Sequence, residues 1–137
     1  MDLSPRMLAR ARRLGLYDAL EERDLIEHLS KVEAGSLDLV AALDVFGYLG
    51  DLDAVFAEVR RGLRAPGFFA FTVERAADGV ADFALTTSGR YHHAARYIEA
   101  LCRAHAWQRL LAADAVLRTE RDQPITSAVI VLAPGAA

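Results

Sequence analysis

Sulfur, lysine and tryptophan are scarce in these 137 residues: one cysteine, one tryptophan and, among sixteen basic side chains, a single lysine, Lys31. Cys102 alone cannot close an internal disulfide, which fits a reducing compartment, and a cytoplasmic location is expected. No stretch approaches the ~18–20 consecutive apolar residues of a membrane span, so no membrane association is expected. The opening Met1-Asp2-Leu3-Ser4-Pro5-Arg6 lacks the basic segment and apolar run of a secretory signal. None of the nine glycines form a G-x-G pair. No phosphate-binding P-loop and no G-x-S-x-G elbow occurs either. His28, His92, His93 and His105 do not show zinc-ligand spacing. Cys102 and His105 fall on one apolar helical stripe, where packing is the ordinary reading and no metal is expected.

What is present is apolar and well mixed with charge. A hydrophobic fraction of 53% against 26% charged residues reads as globular, with alanine inflating the apolar share. The length suits one domain, residues 1–137, with a normal core. The net charge of −3 gives no whole-protein attraction to nucleic acid. The cluster Arg6, Arg10, Arg12 and Arg13 can contact phosphates, but it equally makes the solvated face of a helix, the favoured reading where acidic residues outnumber basic ones.

Ser4-Pro5 opens a helix with a hydroxyl cap and a proline where no N–H is needed. Met7, Leu8, Ala11 and Leu14 form its apolar stripe, and Gly15 is a natural stop. Leu16 to Lys31 admits two readings, a helix throughout or a short strand near Ala19–Arg23 with a helix from Asp24. The near-continuous apolar run Leu37–Leu43 suits a strand buried on both faces. Asp51 is expected to cap a helix carrying Val55, Phe56, Val59 and Leu63 inward, with Arg60, Arg61 and Arg64 near its negative end. Pro66-Gly67 fits the middle of a type II turn leading into the apolar strand Phe68–Glu74.

Arg75 to Arg90 has no clear period and reads as a loop. A helix follows with Tyr97, Ile98, Leu101, Cys102 and His105 on one side, and Trp107 reads as a core anchor. Late strands near Arg109–Arg118 and Ile125–Leu132 flank Thr119–Pro124 as an antiparallel hairpin. The alternation predicts an α/β fold with an antiparallel edge hairpin.

In open parallel sheets ligands bind beyond the C-terminal ends of the strands. Asp2, Asp24 and Asp44 all fall where strands should end. A carboxylate there accepts both hydroxyls of a ribose or the exocyclic amine of an adenine, and each aspartate taken singly also reads as a helix cap or turn former.

The wording around these residues resembles the class I S-adenosylmethionine-dependent methyltransferases. Asp2-Leu3-Ser4-Pro5-Arg6-Met7-Leu8-Ala9-Arg10-Ala11 is similar to the D-L-S-x-x-M-L-x-x-A segment after the second strand of that family. Arg23-Asp24-Leu25-Ile26-Glu27-His28-Leu29 resembles the segment after the third strand, and Ser36 to Leu52 the fourth strand and its exit loop. Leu63-Arg64-Ala65-Pro66-Gly67-Phe68-Phe69-Ala70-Phe71 resembles the turn into the fifth. Ser88-Gly89-Arg90-Tyr91-His92-His93, with Tyr97-Ile98, is similar to a bacterial subgroup often fused to tetratricopeptide repeats.

The resemblance implies a Rossmann-like methyltransferase sheet with a C-terminal antiparallel hairpin, and S-adenosylmethionine as cofactor. It implies Asp2 on the ribose hydroxyls, Asp24 on the adenine amine and the Leu25 N–H facing the ring. Leu43 and Asp44 would line the methionine end. Tyr48, Tyr91 and His93 would lie toward an unidentified methyl acceptor, with His93 and then Asp44 as candidates for a general base.

The family's glycine-rich D-x-G-x-G-x-G loop and the central strand that carries it have no counterpart here. The sheet is therefore expected to be the C-terminal part of the domain. A strand edge left unpaired would invite association with a second copy or another chain. A non-catalytic remnant acting as an interaction module is the other reading.

Overall fold

The computed structural model describes residues 1–120 and 122–135; Arg121, in the expected turn of the late hairpin, and the last two residues lie outside the described residues. In chain order the elements are α1 (Pro5–Leu14), α2 (Leu25–Lys31), β1 (Leu37–Ala42), a 3-10 turn (Phe46–Tyr48), α3 (Asp53–Gly62), β2 (Leu63–Glu74), β3 (Phe83–Leu85), β4 (Tyr91–His93), α4 (Ala95–Ala104), β5 (Trp107–Glu120) and β6 (Gln123–Pro134).

Four strands form one sheet in the order β1-β2-β6-β5, and β3 pairs with β4 in a separate small ribbon. β1 runs parallel to β2, and β6 runs antiparallel to both β2 and β5. The α/β fold with its antiparallel hairpin is thus present.

One face of the sheet carries the core. Phe69, Phe71 and Val73 of β2 alternate inward with Ala128, Ile130 and Leu132 of β6. Val55, Phe56 and Val59 of α3 and Ile98 and Leu101 of α4 cover them. Phe56 stands edge-on to Phe69 and Phe71, each centroid 5.5 Å away, and Trp107 lies 5.6 Å from Phe69. Trp107 is therefore a core residue.

The opposite face is largely open. The register aligns Leu39 with Phe68, and it aligns Ala41, Ala70, Val131 and Leu111 in one row across all four strands. Leu39, Phe68 and Leu111 are exposed there, while Ala70 and Val131 are half-buried. β1, moreover, is paired only with β2. Its other edge has no strand partner among the described residues.

Several local expectations hold and others are corrected. The Ser4 hydroxyl accepts from the Met7 N–H and Gly15 closes α1 in the left-handed conformation. Of the α1 stripe only Leu8 is buried, while Met7 and Leu14 are exposed. In the ambiguous stretch the shorter helix is the one formed, starting after Asp24.

Asp51 does accept the Asp53 N–H at 2.9 Å, although Leu52 occupies the capping position of α3. Pro66-Gly67 is not a type II turn: it lies within β2, the Ala65–Pro66 bond is cis, and Gly67 is not among the glycines with positive φ. Gly67 is needed there for proximity, since a Cβ would sit 2.5 Å from the Arg64 carbonyl oxygen. Arg75–Arg90 is not all loop, because β3 lies inside it. The late strands each extend two residues beyond the expected range at both ends, β5 over Trp107–Glu120 and β6 over Gln123–Pro134.

Candidate functional site

Asp2 and Asp24 end two neighbouring parallel segments. The Asp2 N–H donates to the Glu21 carbonyl at 3.0 Å, the Arg23 N–H donates to the Asp2 carbonyl at 3.3 Å, and Asp2 bridges Glu22 in parallel register. Both carboxylates organise the backbone after them. Asp2 Oδ1 accepts the Ser4 N–H at 2.8 Å, and Asp24 Oδ1 accepts the Ile26 and Glu27 N–H groups at 2.9 and 3.1 Å as the cap of α2, whose first residue is Leu25. The second carboxylate oxygen of each has no protein hydrogen bond among the described residues. Each is thus free to accept from a ligand hydroxyl or amine.

Leu43 and Asp44 follow β1 directly. Asp44 adopts φ +58°, a left-handed conformation that aspartate tolerates better than branched residues. Its N–H donates to the Thr72 hydroxyl at 2.9 Å, which fixes the exit of β1 against β2. Its carboxylate, exposed, is engaged by the Arg90 guanidinium. That guanidinium lies 4.7 Å from the centre of the Tyr48 ring, a cation–π contact. Leu43 and Tyr48 are both exposed beside it.

Tyr91 and His93 are placed differently. Tyr91 is half-buried, its ring 6.0 Å from Phe83 and against Gly50, where a Cβ would fall 2.9 Å from the Tyr91 ring. His93 is enclosed, only 1% exposed, between Phe83 and Tyr97. Its Nε2 donates to the Gly50 carbonyl at 2.9 Å, and burial pushes its pKa below the ordinary value. Tyr91 and His93, two residues apart on β4, share one side of the strand, and His92 points to the other.

The densest polar group was not visible in the sequence reading. Glu74, at the end of β2, is buried with only 6% of its side chain exposed. Its Oε1 accepts from Arg90 Nε at 2.6 Å and from Arg118 of β5 at 2.7 Å, and His92 Nε2 lies 3.0 Å from its Oε2. Arg90 is itself delivered by a tight turn in which Gly89 takes φ +77° and the Thr86 N–H donates to the Arg90 carbonyl at 2.9 Å. The only sequence signal was a charged residue ending each of two apolar runs, which does not say what partner it meets.

The structure therefore makes two groups: Asp2 with Asp24 and Leu25, and Asp44 with Tyr48, Arg90, Glu74 and His92. A separate cleft of about 670 Å³ opens beneath α4, floored by Val73, Ile98, Ala128 and Ile130 and edged by Cys102 and Arg103. Burial raises the Cys102 thiol above its ordinary pKa. Among the described residues no cluster of three or more His, Cys, Asp or Glu side chains is arranged to hold a metal ion, and no helix is long and apolar enough to cross a membrane.

The residues fit the nucleoside end of the cofactor that the sequence resemblance implies, since two carboxylates with open oxygens stand at adjacent strand ends. For the amino-acid end the chain offers Leu43 and Asp44, with no G-x-G backbone among its glycines.

Comparison with known proteins completes the description. A family model described as a methyltransferase domain matches residues 1–71. No curated protein sequence matches the chain. Among solved structures, one described as a putative S-adenosylmethionine-dependent methyltransferase from Listeria monocytogenes superposes with a TM-score of 0.75 at 17% identity, covering 98% of this chain and 78% of that one. A structure of S-adenosylmethionine-dependent methyltransferases from Methanosarcina mazei gives 0.72 at 12%, covering 99% and 81%. The N-methyltransferase NodS of Bradyrhizobium japonicum, solved with S-adenosyl-l-homocysteine, gives 0.69 at 18%, covering 98% and 65%. At these identities the likeness is one of fold.

Proposed function

Because the chain belongs to the methyltransferase domain family, we propose that it binds S-adenosylmethionine through Asp2, Asp24, Leu25, Leu43 and Asp44 and contributes the acceptor side of a methyl-transfer site. The carrying observation is that Asp2 and Asp24 stand at the parallel Asp2–Glu22 bridge and Asp44 just beyond β1, at the kind of strand end where parallel sheets bind their ligands. The Asp2 carboxylate takes the ribose hydroxyls, the Asp24 carboxylate the adenine amine, and the Leu25 N–H faces the ring. Leu43 and Asp44 line the methionine end. S-adenosylmethionine supplies an electrophilic methyl group on a sulfonium centre. What falls to the protein is to align the acceptor and exclude water. Tyr48, with its exposed ring, and the half-buried Tyr91 lie toward that acceptor. His93, sealed behind Phe83 and Tyr97, takes no part in this reading.

Two features argue that the domain is completed by further chain. Among the described residues the outer edge of β1 is unpaired, and the sheet face carrying Leu39, Phe68, Val131 and Leu111 is open. An added parallel strand beside β1, bearing a glycine-rich loop, and a helix over the open face satisfy both. Whether that chain comes in cis or from a partner, the edge itself is the recognition element.

Titration with S-adenosylmethionine followed by backbone amide NMR tests the cofactor assignment. Expected are shifts at Asp2, Asp24, Leu25, Leu43 and Asp44 that Asp24→Ala diminishes. Saturation that leaves those amides unmoved, or no interaction at millimolar ligand, overturns it.

A further inference from the structure

We propose that the cleft beneath α4 is a binding site for an amphipathic anion, an unbranched acyl chain ending in a carboxylate. The proposal goes beyond the methyl-transfer reading. None of Asp2, Asp24, Leu25, Leu43 and Asp44 lines this cleft, so the two claims stand or fall separately.

The cleft follows from one small side chain. On the core side of the sheet the register sets three rows across β2, β6 and β5: Phe69, Leu132 and Arg109, then Phe71, Ile130 and Ala112, then Val73, Ala128 and Asp114. The β2 and β6 members of every row are buried. On the edge strand β5 the outer two rows end in a charged residue and the middle row in alanine. A methyl group does not fill the space under α4, and Ala112 stays exposed although Phe71 and Ile130 beside it are buried. Ile98 and Cys102, four residues apart on α4, form the wall. The trough of about 670 Å³ is of ordinary size for a small-molecule site. Its outer rows lie four residues apart on β6, which gives a length of about 13–14 Å at the usual strand rise. That is close to an extended ten-carbon chain.

The two ends of the trough differ in charge. At the Val73 end Arg75 is committed, its Nε donating to Asp114 at 2.7 Å. At the other end Arg109 comes only within 3.5 Å of Glu99, and both side chains are about half exposed, so solvent screens the contact. The Arg103 guanidinium has no partner among the described residues. Arg103 and Arg109 both lie close enough to Cys102 to act on its thiol, which places the two cations at one mouth. The lining as a whole carries three arginines against one acid, in a chain of net charge −3. A hydrocarbon tail therefore lies on Val73, Ile98, Ala128 and Ile130, and its carboxylate takes charge-assisted hydrogen bonds from Arg103 and Arg109.

Cys102 is the only cysteine, so its alkylation by iodoacetamide, followed by intact mass, reports on this cleft alone. The probe is decanoate, kept below its micelle threshold. Decanoate should slow the alkylation several-fold and saturably, whereas decyltrimethylammonium, the same chain with the opposite charge, should have little effect. Arg103→Gln should raise the half-saturating decanoate concentration about fivefold, as loss of a partly screened ion pair requires. Ala112→Glu, at an exposed position and checked for fold by circular dichroism, puts a carboxylate on the trough floor and should abolish the protection. No slowing by decanoate, equal slowing by the ammonium analogue, or protection undiminished in Ala112→Glu overturns the proposal.

Discussion

Glu74 ties the ends of β2, β4 and β5 together through three side chains, and its removal should be felt well beyond activity. Deleting one member of a buried ion group strands the others, typically at about 3–5 kcal/mol. Glu74→Ala should therefore lower the unfolding free energy in urea by about 3 kcal/mol, far more than loss of the exposed Glu27–Lys31 pair, which solvent screens. The acid limb of stability follows from two depressed groups. The Glu74 carboxyl is held below its ordinary 4.5, so its contribution is complete above that value and fades as pH falls further. Burial holds the His93 imidazole below its ordinary 6.5, so its contribution begins to fade at a higher pH, as the unfolded chain takes up a proton that the folded one refuses. Urea midpoints measured against pH should show both steps. Glu74→Gln should flatten the lower one and His93→Gln the upper one.

At the scale of elements, α3 depends on a residue of α4. Leu52, which is fully buried, has no side-chain cap to offer, and its N–H donates instead to the Tyr97 hydroxyl at 2.8 Å, which donates onward to Asp51 at 2.8 Å. Tyr97→Phe should cost about 1–3 kcal/mol, the usual penalty for orphaning a buried donor. Burial pushes the Tyr97 pKa up to about 12 from an ordinary 10.0, so this link holds below pH 10 and is lost as pH rises toward 12. The alkaline limb of a thermal melting series should flatten in Tyr97→Phe. In the same layer Phe56→Ala, at a ring touching Phe69, Phe71 and Trp107, should cost about 3–5 kcal/mol by denaturant titration.

These links also show what was legible in the sequence. The cap of α1, the stripe of α4 and the apolar runs of β1 and β2 are local patterns and could be read directly, whereas the start of α2 after Asp24 was one of two open readings. The strand inside Arg75–Arg90 is only three residues long, too short to display a period. Pro66-Gly67 carried turn chemistry that the neighbouring β1 overrode. The Glu74 cluster joins residues 16 and 44 positions apart, and no spacing rule announces such a meeting. His92 and His93 are chemically identical in sequence, and only strand alternation gives them opposite fates.

For the whole molecule, the open edge and the open face set the expected solution behaviour. Sedimentation at rising concentration should show self-association, and Leu39→Lys, which puts a charge on the exposed row beside the β1 edge, should raise the monomer fraction. A wild-type chain that stays monomeric throughout would rule out the edge as an association site in isolation.

The strand order β1-β2-β6-β5 has a temporal consequence as well. β2 finds its parallel neighbour β1 through the short α3 connection, but its other neighbour, β6, comes after every other described strand in chain order. On the ribosome, Phe69, Phe71 and Val73 must wait with one side of their strand unpaired while some fifty further residues emerge. The antiparallel β5–β6 hairpin, a local pairing, closes quickly on itself and then docks as a preformed ribbon. Nascent chains halted before Gln123 should accordingly remain protease-sensitive throughout β2, and release of the final strand should protect it in a single step.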